Sequence, residues 1–351
     1  MIIPKIMKAA ILVEQRKPLV IDVIELPASL EIGQVLVQIH YSGICGSQLG
    51  EIDGIKGPDV YLPHLLGHEA SGTVLAIGPG VKQVKADDLV VLHWRKGLGI
   101  EGDPPQYLWN GEKLNAGWIA TFNEYAIVSE NRVTAIPRDS DLEVAALFGC
   151  AVTTGFGVIE NNAQVRIGES VVVFGAGGVG LNMVQAASLV SAYPIIAIDL
   201  YEGRLALAKE MGATHLINSS KVDAEKVIQD IVHNKGLDCF IDNTGNPKII
   251  ELGYRITKLQ GRVILVGVPP KDNDTTIYSL PLHFGKRIIG SHGGEAIPNI
   301  DIPRYLNFYR SGGMRLKEII SKIYSLEDIN HALEDMKSGK LSGRALVRPS
   351  L

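Results

Sequence analysis

Ser170-Val-Val-Val-Phe174-Gly175-Ala-Gly177-Gly178-Val179-Gly180 is the stretch that decides the fold. It opens as an apolar strand, and from Leu181 to Val190 apolar residues recur at helical spacing. Between the two, the glycines fall in the order G-x-G-x-x-G. In a strand–turn–helix context that order marks a dinucleotide-binding turn. The first glycine makes the turn, the second lets the backbone approach a pyrophosphate, and the third lets helix pack on strand. The helix that opens there offers unpaired N–H groups and a partial positive charge to phosphate.

Working outward, Pro194 to Asp199 reads as the next strand and Glu202 to Met211 as the next helix. Thr214–Asn218, Cys239–Asp242 and Arg262–Val268 are further strands, the last bringing Val268 to the cofactor. Strands alternating with helices predict a doubly wound parallel sheet, and buried parallel strands are continuously apolar, as these are. Asp199 ends the second strand. A carboxylate there accepts from ribose hydroxyls and repels a 2′-phosphate, which favours NAD over NADP. Arg204 nearby is a countervailing feature, since arginine can hold a 2′-phosphate.

Upstream of Gly155 the texture is β. Lys8–Val13, Val35–Tyr41 and Thr121–Ser129 are strand-like, and in the second of these Val35, Val37 and Ile39 alternate with Leu36, Gln38 and His40. After Gly290 the segments Ile302–Ser311 and Leu326–Ser338 look helical, and Arg344–Val347 forms a closing strand. The expected organisation is an outer domain of residues 1–152 and 291–351 around a cofactor domain of residues 153–290.

Composition excludes several classes. The chain has 351 residues, 46% hydrophobic and 21% charged, a globular balance that fits one large domain or two ordinary ones. A net charge of −4 and scattered Lys and Arg give no nucleic-acid footprint. Apolar runs are strand-length, too short to span a bilayer, and no long apolar stretch follows the first lysines. Three cysteines, Cys45, Cys150 and Cys239, do not make a disulfide framework and suit a reducing compartment, so a cytoplasmic location is expected.

Three neighbourhoods in the outer domain carry metal-binding residue types: Gly43-Ile-Cys45-Gly46-Ser47, Leu66-Gly67-His68-Glu69 and Gly149-Cys150-Ala-Val-Thr-Thr154-Gly155. Two thiolates and one imidazole make a tetrahedral zinc site with one open position; the reference example of this set is alcohol dehydrogenase. Taken in this order with the GAGGVG turn, the chain resembles the zinc-containing medium-chain alcohol dehydrogenases from Met7 to Val347. The resemblance implies a GroES-like β-rich catalytic domain beside a Rossmann domain, an α/β architecture. It implies one catalytic zinc held by Cys45, His68 and Cys150, with Glu69 as the acidic neighbour able to approach it. Ser47 would touch the alcohol oxygen, Thr154 the nicotinamide carboxamide, Val179 the nicotinamide ring and Arg344 the pyrophosphate. Hydride would pass between alcohol and NAD, with zinc as Lewis acid, in a homodimer or homotetramer.

The pattern departs from that family in four places. Gln48 stands where Asp orients the ligating histidine, and can accept the same bond without its charge. Gly50 replaces the histidine that ends the proton relay. Arg95 to Trp118 lacks the four cysteines of a structural zinc lobe, so none is expected there. Trp94 takes the aromatic pocket position, which limits bulk or offers a stacking face to a sugar ring. Beside it, Arg95 and Lys96 would suit a polar or acidic substrate, or would simply be solvated. His292, in Ser291-His292-Gly293-Gly294-Glu295, is within reach of the cleft, but a structural role in the turn is the expectation. The substrate expected is a secondary alcohol, polyol or sugar-like hydroxyl. The alternatives are a zinc-free quinone or enoyl reductase of the same fold, and a dinucleotide-binding sensor without turnover.

Overall fold

The structure is a computed structural model that describes residues 3–349. Its strands are β1 (Ile6–Leu12), β2 (Val20–Glu25), β3 (Gln34–Gly43), β4 (His64–Leu65), β5 (Glu69–Ile77), β6 (Leu89–His93), β7 (Tyr107–Trp109), β8 (Glu112–Leu114), β9 (Tyr125–Ser129) and β10 (Val133–Ile136) in the first half. Then come β11 (Val171–Phe174), β12 (Ile195–Asp199), β13 (His215–Asn218), β14 (Leu237–Asp242), β15 (Thr257–Leu265), β16 (Arg287–Gly290), β17 (Ile320–Ser325) and β18 (Arg344–Arg348).

The doubly wound sheet expected from the sequence is present. β11 to β16 form one parallel sheet in the order β13-β12-β11-β14-β15-β16, so the winding order of the strands reverses between β11 and β14. Ligands bind outside the carboxyl ends of the strands at such a switch point. Both faces of this sheet are covered, Val171 and Val173 facing one apolar cluster and Val172 and Phe174 another. That double burial is why these strands are apolar at every position.

The rest of the β structure forms two sheets, β4-β1-β2-β7-β8 and β10-β6-β5-β3-β18-β17, with β9 pairing β3. The last strands therefore return to the first half, and β18 lies against Ser42 and Gly43 at the end of β3. The alternation expected in β3 holds only in part. Val35, Val37 and Ile39 face one cluster, but Leu36 is equally buried in another, because a second sheet covers the opposite face. The helix Ala151–Gly157 runs across residue 152 and packs against the helix Gly178–Leu189, where Gly155 lets Asn182 come close. Among the described residues no single helix is long and apolar enough to cross a membrane.

The segment from Trp94 to Ala120 carries the β7–β8 hairpin, which extends the first sheet through β2. A carboxylate ties Ile100 of this segment to the β5–β6 connection: buried Glu130 accepts the backbone N–H of Lys82 at 2.5 Å, Gln83 at 2.7 Å and Ile100 at 2.7 Å.

Candidate active site

Local chain geometry delivers the three metal-binding side chains. Cys45 is the extended N-cap residue of helix α1 (Gly46–Asp53). His68 precedes β5, and Cys150 sits between two short helical turns with φ −151° and ψ −63°. Their ligand atoms lie within 4.8 Å of one another. Two thiolates on one zinc stand about 3.8 Å apart, given Zn–S bonds of ~2.3 Å, so the triangle fits zinc with small adjustments. His68 uses Nδ1 on Gln48, and its Nε2 is buried with no partner, as a waiting ligand atom should be. Ser47 Oγ and Thr154 Oγ1 are likewise buried and unpartnered.

The electrostatics suit thiolate formation. The hydrogen bond from Cys150 pulls the Cys45 thiol well below its usual range, with help from Arg344 and His68 and against burial. The same bond, with burial, pushes Cys150 up. The pair therefore gives up its two protons in separate steps, and a bound cation is what favours loss of the second.

Glu69 and Arg344 form a buried ion pair behind the ligands, Oε1 to Nε at 2.8 Å, with exposures of 0% and 2%. The Nε–H does not point along that line, so the contact is electrostatic rather than a hydrogen bond. Glu69 Oε2 accepts the Ala151 N–H at 3.1 Å, and Arg344 Nη1 donates to the Ile44 carbonyl at 3.1 Å. Burial raises the Glu69 carboxyl, with Arg344 opposing. Arg344 Nη2 has no partner, and its guanidinium lies against Gly178 of the glycine turn.

The turn itself has the expected glycine geometry. Gly175 has φ 100°, a side chain on Gly177 would meet nothing within 4 Å, and one on Gly180 would strike the Gly175 carbonyl. A cleft of about 1820 Å³ joins the ligand triangle to this turn. Its walls include Cys45, Ser47, His68, Trp94, Cys150 and Thr154 on one side, and Gly175, Gly177, Gly178, Val179, Asp199, Arg204, Val268 and Arg344 on the other. Gly180 and Glu69 stand behind the wall. Asp199 Oδ2 accepts the Ala176 N–H at 2.8 Å. Arg204 is paired with Asp199 at 3.7 Å, bonded to the Leu341 carbonyl and stacked over Tyr201, so the expected counterweight to NAD is already spent on that carboxylate.

Three expectations change. Val268 lies beyond its strand, which ends at Leu265, in a loop on the cleft wall. Arg95 and Lys96 do not point into the cleft: Lys96 pairs with Glu101, and Arg95 donates to Ala296 and His292. The case they made for an acidic substrate therefore falls. His292, expected chiefly in its turn, lines the cleft, the second of its two readings, with its ring set edge-on to Trp94 at 4.9 Å. The room a side chain at Gly50 would need is filled by Ile55, which also accepts the Lys271 backbone N–H at 2.8 Å across the cleft. Sequence reasoning missed the Asp59–His64 pair at 2.7 Å in the cleft wall; its spacing resembles no motif.

Residues 31–138 match the family model of the alcohol dehydrogenase GroES-like domain, and residues 178–311 that of the zinc-binding dehydrogenase. The chain is 30% identical to the alcohol dehydrogenase class-3 of Cereibacter sphaeroides, over 95% of this chain and 97% of that one. It is also 30% identical to the S-(hydroxymethyl)glutathione dehydrogenase of Paracoccus denitrificans, with the same coverage, 95% and 97%. Among solved structures it is similar to an alcohol dehydrogenase zinc-binding domain protein from Burkholderia ambifaria, with TM-score 0.89 and 30% identity over 99% of each chain. It is similar too to the benzyl alcohol dehydrogenase of Acinetobacter calcoaceticus, with TM-score 0.88 and 28% identity over 99% and 100%.

Proposed function

Since the chain belongs to the zinc-containing medium-chain alcohol dehydrogenase family, we propose that it oxidises a secondary alcohol, polyol or sugar-like hydroxyl with NAD, the reverse reduction using the same site. One observation carries this reading: the partnerless His68 Nε2 and two thiols converge in the same cleft as the glycine turn. When bound, zinc supplies Lewis acidity at the alcohol oxygen and NAD takes the hydride.

The chain's own groups do the rest. Cys45, His68 and Cys150 hold the metal. Ser47 Oγ, buried without a partner, takes the substrate hydroxyl proton while passing its own towards the cofactor ribose. Thr154 Oγ1 holds the nicotinamide amide, and Val179 and Val268 flank the ring. Asp199 receives the adenosine ribose, and Arg344 directs its free Nη2 to the pyrophosphate. Trp94 and His292 close the substrate end with one apolar and one polar ring, which suits a polar, uncharged alcohol. We place the protein in the cytoplasm, where three free cysteines stay reduced.

Cys45→Ala is the test. The purified wild type should carry about one zinc per chain and reduce NAD with members of an alcohol panel. The variant should lose both while keeping its circular dichroism and NADH binding. A wild type that binds NADH but holds no zinc, or a variant that keeps its activity, overturns the reading.

A further inference from the structure

Gln48 is 1% exposed and lies between the Cys45 backbone N–H and the His68 ring. Its Oε1 accepts the Cys45 backbone N–H at 2.8 Å, capping α1. Its Nε2 stands 2.5 Å from His68 Nδ1. The remaining ring nitrogen, Nε2, is the partnerless atom of the metal triangle. A neutral histidine that gives its Nε2 lone pair to a cation carries its proton on Nδ1. Two N–H groups then face Gln48, one from His68 and one from Cys45, but its oxygen lies on Cys45 and its NH₂ is the group that meets His68.

Neither orientation of the amide serves both. As it lies, the NH₂ donates to Nδ1, which fixes the ring proton on Nε2, where the metal would bind. Turned over, the oxygen meets the Nδ1–H, but the NH₂ then confronts the Cys45 N–H, donor against donor, and the Gln48 half of the cap on α1 is lost. A donor left buried and unpaired is costly. We infer that Gln48 is a positioning residue that sets the strength of the metal site: loading zinc turns the amide over and breaks the Gln48 half of the capping box of α1. Zinc binding is thereby coupled to the end of a helix that also carries Ser47, and is weaker than a carboxylate at this position would give. The inference rests on the zinc site proposed above.

Gln48→Glu keeps the length of the side chain and provides two acceptor oxygens, one for each N–H. Zinc affinity of the full chain, measured by chelator competition, should rise about 10–100-fold in the variant, the usual range for partners behind a metal ligand. Amide exchange of the wild type alone supplies a second readout, free of the charge the variant adds. Adding zinc should deprotect the Cys45 N–H in the wild type and leave it protected in Gln48→Glu. Equal affinities, or a Cys45 N–H that stays protected in zinc-loaded wild type, overturn this inference and leave the proposed function standing. No zinc binding by either chain overturns the proposed site itself.

Discussion

His93 shows how a single buried side chain ties stability to pH. It is 1% exposed, its Nδ1 donating to the Arg95 carbonyl at 2.7 Å and its Nε2 meeting Thr134 Oγ1 at 2.9 Å. Burial, with the charge of Arg132 adding to it, pushes its pKa down to about 4 from 6.5. The folded value lies below the unfolded one, so protons favour the unfolded chain. The stabilisation is complete above pH 6.5 and is lost as pH falls towards 4, by up to ~3 kcal/mol. Urea midpoints at pH 7 and pH 4.5 should show a fall that is clearly smaller in His93→Gln. An equal fall in both would place the acid sensitivity elsewhere.

At the scale of elements, the carboxylate of Glu130 does for the Trp94–Ala120 segment what a bound metal would do for a cysteine-rich lobe. Burial opposes its charge, yet three backbone donors hold its carboxyl below the usual range. Glu130→Gln can accept fewer bonds, and bonds to a charged group contribute ~1.5–3 kcal/mol each. We expect a loss of about 2 kcal/mol in urea titrations and faster proteolytic cutting near Ile100, whereas unchanged cutting would mean other contacts anchor the loop. The sequence made the parallel strands legible because both their faces are buried, but it misplaced ends that tertiary bonds decide. The strand expected from Thr121 starts at Tyr125, since the Thr121 and Phe122 N–H groups are taken by the Leu66 carbonyl. The strand expected to reach Val268 stops at Leu265, since Val266 and Gly267 turn to donate to Asp242.

At the scale of the whole molecule, β16 is one edge of the parallel sheet. Beside it Tyr278, Leu280, Leu282 and Phe284 are exposed at 70%, 47%, 39% and 60%. An open strand edge with apolar neighbours invites a second copy of the chain, so we expect a homo-oligomer in light scattering and its weakening by Phe284→Asp. A wild type that runs as a monomer would sink that expectation. At this scale the site was legible in kind but not in wiring. Cys45, His68 and Cys150 were legible through the family resemblance rather than their spacing, whereas the directions of Arg95 and Lys96, and the pairing of Glu69 with Arg344, depend on packing between distant segments.

That pairing also has a history in time. Arg344 closes the site from β18, the last of the strands to be made, and bonds to Ile44, 300 residues earlier. At roughly 5–20 residues per second, a ribosome needs about 15–60 s to cover that distance. For most of this interval the nascent chain already carries Cys45, His68 and the acid of Glu69, while the guanidinium that neutralises the acid does not yet exist. Synthesis therefore delivers the ligands first and their counter-charge last, and the finished pocket cannot predate the final strand.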